Sequence, residues 1–315
     1  MEDTLDSELG GESIAPDEAF KAVGNELRIE ILRALARALE PVPFTTLQET
    51  VGMEDSGKFN YHLGKLTGHF VRRTDRGYEL RHAGASIVRA IRAGGITEDP
   101  TLEPRTIDLP CPFCGADQEF SYAQETLQLR CPECAGVAEG PFPNGTIMYY
   151  EFPVAGLRSR TELEVARAAH RLYDSEVVAM VEGVCPLCAG QVDVELSVCF
   201  DHEPGEDGLC NACDSRYLAW CDCECPTCHH SRRFALWFRA LLHPGVVGFY
   251  ADAGDVSRPV PFPKLLTGED PDFRDVTETL RSRDPLQIAV EIRAGDGACT
   301  VLVDENLDVT LEDSA

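Results

Sequence analysis

Residues 111–134 read CPFCGADQEFSYAQETLQLRCPEC, and this stretch decides most of what can be inferred about the fold. Two Cys-x-x-Cys loops, here called knuckles, enclose two strand-like segments, QEFSY and LQLR, joined by the turn AQET. A hairpin of this kind brings both knuckles onto one metal ion, so we expect a zinc ribbon. Four sulfurs close the coordination and indicate a structural site; an iron–sulfur or rubredoxin-like iron site is the alternative. The expected ligands are Cys111, Cys114, Cys131 and Cys134.

A second cysteine-rich segment, residues 185–231, repeats this order. A knuckle leads into QVDVELSVC, and SRYLAWCDCECPTC ends in another knuckle. Nested pairing of these two gives a second zinc site, with ligands Cys185, Cys188, Cys225 and Cys228. The loop between the strands then holds a further ligand set for an inner, third zinc: Cys199, His202, Cys210 and Cys213. Sequential pairing of the knuckles at 185–188 and 210–213 is the alternative. Because catalytic zinc keeps an open position and none is evident, we expect no enzyme.

Three further thiols lie outside these sets. Cys221 and Cys223 alternate along the incoming strand with Cys225. Alternate strand residues stand about 6.6 Å apart, whereas sulfurs on one zinc lie about 3.8 Å apart, so the three cannot share an ion. We expect Cys221 and Cys223 to be free thiols or spare ligands and the place where a redox role would lie. Cys299 is predicted to be a buried small apolar residue, and the histidines after Cys228 to lie in solvent.

The charge of the chain is strongly acidic. Its 315 residues carry a net charge of −26 and include four lysines. This bias resembles that of haloarchaeal proteins, for which molar salt shortens the Debye length to about 3 Å. The hydrophobic content of 43% argues against a disordered acidic protein. The acidic N-terminus, fourteen cysteines and the lack of an apolar run of eighteen predict a cytoplasmic protein with metal-bound thiols and no membrane span.

The N-terminal part predicts helices followed by a hairpin. PDEAFKAVGNELRIEILRALAR has apolar residues at helical spacing and an expected cap at Asp17. SGKFNYHLGKLTGHF predicts another helix, opened by Ser56. VRRTDRGYELRHAG then predicts two short strands around a polar turn, and ASIVRAIRAGG a closing helix. This order is typical of a winged helix-turn-helix.

Over AFKAVGNELRIEILRAL and SGKFNYHLGKLTGHFVRRTDRGYEL the chain resembles the haloarchaeal branch of the ArsR-type winged-helix regulators. The resemblance covers about a quarter of the chain. It implies a transcriptional regulator that binds double-stranded DNA and forms a homodimer through its first and last helices, where Ile87 and Ile91 offer an apolar stripe. No cysteine precedes Cys111, so the cysteine pair of metal-sensing members is missing, and the resemblance does not imply metal sensing.

Candidate DNA contacts follow from charge and helix geometry. One face of the helix predicted at SGKFNYHLGKLTGHF is small and basic, with its reading residues near the N-terminus. From Ser56 to Arg92 there are eight basic and two acidic residues, a net charge of +6 in an otherwise acidic chain. The expected contacts are Lys58, Asn60, Tyr61 and Lys65 on the helix and Arg72, Arg73 and Arg76 on the wing.

The predicted fold class is α+β: a winged helix-turn-helix, zinc-ribbon hairpins, and a small C-terminal α/β region with antiparallel strands. RSRTELEVARAAHRLYDSEVVAMVEG predicts a helix with a capping box of Thr161 and Glu164, and RRFALWFRALLHPGVVGFYADAG one or two apolar helices. The alternatives in function are a zinc-ribbon adaptor of nucleic acid or the transcription machinery, and a thiol-based metal or redox sensor. A protein partner or small effector is open for the C-terminal region. The predicted divisions are an acidic disordered tail (1–15), the DNA-binding domain (16–95), a linker (96–110), ribbon 1 (111–140), a mainly helical connector (141–184), ribbon 2 with the inner site (185–231), and a helix with antiparallel strands (232–315).

Overall fold

The computed structural model describes residues 14–138, 142–252 and 276–312. The chain divides into two compact units, Met1–Glu98 and Asp99–Ala315. All but two residues of the predicted acidic tail lie outside the described residues. Among the residues described, no helix is both long and apolar enough to cross a membrane.

From residue 14 onward, where its description begins, the first unit has five helices and one hairpin around a single core. Leu32, Leu47, Phe59 and Leu66 are fully buried in it, and they come from three different helices. The strands β1 and β2 form an antiparallel pair between the fourth and fifth helices. The elements in chain order are α1 Pro16–Val23, α2 Glu26–Leu35, α3 Phe44–Thr50, α4 Ser56–Leu66, β1 Val71–Thr74, β2 Gly77–Leu80 and α5 His82–Ala93.

The helix starts differ from those expected. The single helix predicted from residue 16 is two helices, because Asn25 begins a second one by accepting a hydrogen bond from the Arg28 N–H at 3.4 Å. Asp17 is not the cap of α1, since Pro16 already occupies the first helical position. Asp55 rather than Ser56 caps α4, and its carboxylate accepts from the Lys58 N–H at 2.9 Å.

The hairpin of the first unit is fixed by a close backbone approach. Val42 and Tyr78 exchange two backbone hydrogen bonds of 2.8 Å, which hold the β2 strand against the segment before α3. Gly77 has a φ of +139°, and a Cβ there would meet the Val42 carbonyl oxygen at 2.3 Å. The turn therefore requires glycine at this position.

The second unit contains three antiparallel sheets in which chain neighbours pair. With the first unit it makes the described structure α+β, as predicted. The first sheet joins β3 Leu102–Pro110, β4 Asp117–Ala123, β5 Thr126–Arg130 and β6 Thr146–Glu151. The second joins β7 Asp193–Val198, β8 Ala219–Glu224 and β9 Ser231–Ala235, and the third β10 Val276–Arg283, β11 Leu286–Ala294, β12 Gly297–Asp304 and β13 Val309–Leu311. The helices are α6 Glu162–Val181, α7 Trp237–Leu241 and α8 Pro244–Asp252.

Two segments of the second unit differ from their predicted structure. The predicted linker contains β3, which pairs with β4 and closes one edge of the first sheet. The segment after residue 230, predicted as helix, begins with β9, which pairs with β8 in the register Cys223↔Arg232. Apolar residues occur in this segment at both helical and strand spacing, so the pattern fits a helix or a strand. Pairing with the free edge of β8 makes its first part a strand.

Helix α6 joins two cores. Val165 and Ala169 near its start pack with the first sheet, whereas Val177 and Met180 near its end pack with the second and third sheets. Its predicted capping box is present: the Thr161 N–H donates to Glu164 Oε2 at 2.7 Å, and the Glu164 N–H donates to Thr161 Oγ1 at 3.4 Å. One helix thus positions the two hairpins that carry the predicted ligands.

A buried carboxylate ties the third sheet to the second. Glu278 accepts hydrogen bonds from the Ala219 N–H at 3.2 Å and the Trp237 N–H at 2.9 Å. Desolvation raises the pKa of this carboxyl from 4.5 to about 7, against the lowering effect of the N–H donors. Because the folded state holds the proton more tightly than the unfolded chain, this group stabilises the fold fully below pH 4.5 and loses that contribution as the pH rises through 7.

Substituting Glu278→Gln is expected to remove this pH dependence. Between pH 5 and pH 8 the free energy of unfolding of the wild type should fall relative to that of the variant by about 2.5 kcal/mol. Denaturant unfolding at several pH values across this range measures the difference in unfolding free energy between the two proteins. The cysteines titrate equally in both, so their contribution cancels from that difference. Glu305→Gln, in an exposed turn, is the control and should follow the wild type. Parallel curves for the wild type and Glu278→Gln would contradict the assignment.

Candidate metal centres

The first cluster lies at the end of the β4–β5 hairpin. Cys111 Sγ lies 3.7 Å from Cys134 Sγ, and Cys114 Sγ lies 3.4 Å from Cys131 Sγ. All four sulfurs fall within 4.8 Å of one another. Tetrahedral zinc–sulfur bonds of about 2.3 Å require sulfur separations of about 3.8 Å, so the cluster has the size that one such ion needs.

The second cluster has the nested pairing. Cys185 Sγ lies 3.6 Å from Cys228 Sγ, and Cys188 Sγ lies 3.5 Å from Cys225 Sγ. The strands β7 and β8 run antiparallel from Asp193↔Glu224 to Val198↔Ala219, which brings the knuckle before β7 beside the knuckle after β8. The sequential alternative is therefore wrong, because the hairpin carries the knuckle at 210–213 to its opposite end.

The third cluster occupies the loop between β7 and β8. Cys213 Sγ lies 3.4 Å from His202 Nδ1, and with Cys199 and Cys210 these atoms again fall within 4.8 Å of one another. Backbone hydrogen bonds hold the loop closed, among them Cys199 N–H to the Leu218 carbonyl at 2.9 Å. Burial lowers the pKa of His202, which favours the neutral imidazole that a metal ion binds.

Four of the five knuckles share one backbone turn. The first cysteine of each accepts a hydrogen bond at its carbonyl from the residue that follows the second cysteine. That following residue has a φ between +52° and +80°, in the left-handed region. At the first knuckle it is glycine, as the sequence predicts, and the others use less favourable residues. These residues are Gly115, Ala189, Asp214 and His229.

Backbone N–H groups point at the sulfurs. Phe113 donates to Cys111 Sγ and Glu133 to Cys131 Sγ, both at 3.4 Å. In the third cluster Cys210 Sγ receives two such bonds at 3.3 Å, from Glu203 and Ala212. Hydrogen bonds to sulfur favour its ionised form, which is the form that binds metal.

The pKa values of the cluster thiols shift in opposite directions. Desolvation raises the pKa of the Cys225 thiol, but the N–H groups of Cys228 and Thr227 outweigh it, and the pKa falls to about 6. In the third cluster, burial and the neighbouring thiols raise the pKa of Cys213 to about 12. The thiols around Cys213 oppose its ionisation, and a bound dication would remove that repulsion. Donor set, spacing and N–H donors all fit a four-ligand metal ion at each cluster.

The thiols outside the clusters are not reactive ones. Cys221 and Cys223 lie on β8 and are fully buried in the apolar core. Burial raises the pKa of Cys221 well above its ordinary range and that of Cys223 to about 12. Cys299 is half-buried rather than buried, and burial raises its pKa as well. Cys221 and Cys223 are therefore free thiols, one of the two predicted alternatives, and a protonated core residue suits neither a spare ligand nor a redox thiol.

The two histidines after Cys228 lie in different surroundings. His229 is exposed, as predicted, and its Nδ1 lies 3.1 Å from Glu224. His230 was predicted in solvent but is buried, because its carbonyl accepts the Cys225 N–H that closes the knuckle turn. Beside it Arg232 and Glu176 form a buried ion pair at 2.6 Å, which nothing in the sequence analysis anticipated.

The predicted DNA-contact residues all lie on the surface of the first unit. On α4, Lys58, Asn60, Tyr61 and Lys65 are exposed, with Tyr61 at 59%. The Lys65 ammonium lies 5.6 Å from the centre of the Tyr61 ring, within cation–π distance. The hairpin exposes the remaining three, Arg72, Arg73 and Arg76.

Comparison with known families gives two matches. The family described as "Domain of unknown function (DUF7351)" matches residues 108–309, well over half of the chain. The chain belongs to this family. The matched range includes all twelve cluster residues. A second description, "Domain of unknown function (DUF7347)", matches residues 16–91, which lie within the first unit. No curated protein and no solved structure matches the chain.

Metal analysis should find three zinc ions per chain. Cys228→Ser is expected to leave two, because it removes one ligand of the second cluster, whereas Cys223→Ala removes a core thiol and should leave three. Inductively coupled plasma mass spectrometry on purified protein measures zinc and iron together, and circular dichroism checks that each variant is folded. Iron in place of zinc, or equal zinc loss in both variants, would contradict the assignment.

Proposed function

We propose that the protein is a DNA-binding transcriptional regulator of the ArsR winged-helix type, with a second unit built around structural zinc sites. In this proposal α3 and α4 form the helix-turn-helix, and β1 and β2 form the wing. The hairpins of the first two clusters are zinc ribbons, and the third cluster is an inner zinc site. The four ligands in each cluster are the number used by closed structural sites, so zinc is assigned no catalytic step.

The division of α4 into a buried and an exposed face carries the proposal. Phe59, Leu63 and Leu66 are at most 1% exposed and fix the helix on the core of the first unit. The opposite face presents Lys58, Asn60, Tyr61 and Lys65, and nothing lies within 4 Å of a Cβ placed at Gly64. A helix with small, polar and basic residues on its free face suits close approach to the major groove.

Charge distribution supports the same surface. Residues 56–92 have a net charge of +6. The second unit has 38 acidic and 16 basic residues, a net charge of −22. A surface that contacts phosphates has to be locally basic, which favours the first unit over the cysteine-rich unit as the nucleic-acid binder. The adaptor alternative, in which the ribbons bind nucleic acid, has no comparable support.

The arginines of the hairpin suit backbone contacts. Arg72 is paired with Glu79, and Arg76 lies 3.5 Å from Glu40, both in exposed surroundings. Exposed ion pairs contribute about 0–1 kcal/mol, so phosphate can replace the carboxylates at little cost. Arg73 lies 6.0 Å from the Tyr78 ring, which orients it on the wing.

Reversing the charge on α4 should abolish specific binding. DNA fragments are first selected from the source genome with wild-type protein at 2 M KCl, where counterion release contributes little and contacts to bases dominate. We expect Lys58→Glu with Lys65→Glu to weaken binding of these fragments at least ~100-fold in fluorescence anisotropy, at roughly 1–3 kcal/mol per lost contact. Arg281→Glu with Arg293→Glu, at two exposed arginines of the second unit, is the matched control and should change binding by less than about twofold. Failure to enrich any fragment, or equal effects of the two charge changes, would overturn the proposal.

A homodimer through α1 and α5 is part of the proposal. Phe20 on α1 is 72% exposed, an unusual state for a phenylalanine, and Ile87 and Ile91 on α5 are partly buried. A second copy would remove these apolar side chains from water. The proposed partner of this surface is therefore a second copy of the chain, as the family resemblance implies.

Phe20→Ser should shift the protein toward the monomer. Loss of one phenylalanine on each side of a symmetric interface is expected to raise the dimer dissociation constant at least ~30-fold, as burial of such a side chain contributes about 1.5–3 kcal/mol. Sedimentation velocity over a concentration series in molar KCl measures the shift. Leu39→Ser, at a fully exposed leucine outside both helices, is the control. A wild-type monomer at all concentrations would disprove the dimer.

A further inference from the structure

The second unit contains a cavity of about 580 Å³. It lies among β5, β6, α6, β8, β9 and α7, beside the second cluster, whose Cys228 is part of its wall. Its volume is within the range of about 300–1,000 Å³ that is usual for small-molecule sites. The metal clusters do not account for this space, and the proposed DNA surface is in the other unit.

Aromatic rings form much of the wall. Tyr150 and Tyr173 stack with ring centres 4.1 Å apart and planes 14° from parallel. Tyr217 lies edge-on to Trp220 at 5.8 Å and tilted toward Trp237 at 5.9 Å. The two tryptophans of the chain, Trp220 and Trp237, both line this cavity. Flat, apolar walls of this kind suit an aromatic ligand.

The charge of the lining is the reverse of its surroundings. Among the lining residues that the structure describes are Arg232 and Arg233 and a single acidic side chain, Glu151, in a unit with a net charge of −22. Arg232 forms an ion pair with Glu176 at 2.6 Å, so its positive charge is already compensated within the protein. Arg233 is 38% exposed, lies 5.2 Å from the Trp220 ring, and forms a loose ion pair with the exposed Asp222 at 3.6 Å. Arg233 is therefore the cation most able to meet a ligand.

A buried polar side chain also lines the cavity. The His230 side chain is 4% exposed, and its Nε2 has no hydrogen-bond partner among the described residues. The nearest acidic oxygen, on Glu176, is 3.9 Å away. A buried polar atom without a partner costs about 1–3 kcal/mol, which a ligand acceptor or a water can recover.

We propose that this cavity binds a small aromatic anion, of one or two fused or linked rings with a carboxylate or sulfonate group. The rings lie between the tryptophans and tyrosines, and the anionic group meets Arg233. A neutral aromatic ligand would pack against the aromatic walls but form no ion pair with the arginine. A cationic aromatic ligand would be repelled by the arginine. This site is independent of the proposed DNA binding, because its residues lie in the other unit and its test contains no DNA.

The test compares two probes that share one aromatic skeleton. The anionic probe is 8-anilinonaphthalene-1-sulfonate, and the neutral one is N-phenyl-1-naphthylamine, which lacks the sulfonate. Excitation of tryptophan and detection of probe emission confines the signal to probe beside Trp220 and Trp237. In molar KCl we expect one saturable site per chain and at least ~5-fold tighter binding of the anionic probe, because a partly buried charge is screened less than an exposed one.

A charge reversal at Arg233 supplies the second arm. Arg233→Glu should weaken the anionic probe at least ~10-fold and change the neutral probe by less than about twofold. Arg293→Glu makes the same charge change at an exposed arginine outside the lining and should leave both affinities unaltered. Equal affinities of the two probes for the wild type, or equal effects of the two reversals, would overturn the proposal, as would absence of saturable energy transfer. Circular dichroism of Arg233→Glu confirms that the comparison is made on folded protein.

Discussion

In the proposed zinc-bound protein, the fold of the second unit depends on twelve side chains that converge in three groups of four. The β4–β5 and β7–β8 hairpins belong to sheets of four and three strands, and each hairpin is closed at its end by groups of cysteines. Sulfur separations of 3.4–3.7 Å in the first two clusters match one shared metal ion. The unit also carries a net charge of −22, which opposes compaction. A metal ion bound at each cluster would supply folding free energy that offsets this repulsion, and α6 packs against both hairpins.

Charge separates the roles of the two units. Acidic residues occur at a similar density in both units, whereas eight of the 28 basic residues lie within residues 56–92, which are therefore locally basic. In molar salt a basic surface gains little from the release of counterions, so its value lies in contacts of defined geometry. The proposed DNA contacts accord with this, since the same helix face holds Asn60 and Tyr61 beside Lys58 and Lys65. The reversed charge of the aromatic cavity follows the same logic on a smaller scale, since it favours an anion where the surroundings repel one.

The sequence predicted the clusters well because their ligands are joined by short covalent spacers. A Cys-x-x-Cys loop can direct both sulfurs to one point, and the order of strands and knuckles indicated nested pairing. Other features depend on tertiary neighbours that spacing does not reveal. The segment from Ser231 became a strand because β8 had a free edge, and His230 was buried by the turn of its knuckle. The cavity was missed because Trp237 has the same apolar pattern whether it fills a core or lines a site.

Genome-wide DNA occupancy of the tagged protein in its source cells tests the central claim most directly. The wild type should give discrete peaks that share one sequence element. The variant with Lys58→Glu and Lys65→Glu, expressed at the same level with its three zinc ions retained, should lose those peaks. A flat wild-type profile, or peaks that survive in the variant, would contradict the account of α4 as the DNA-reading helix.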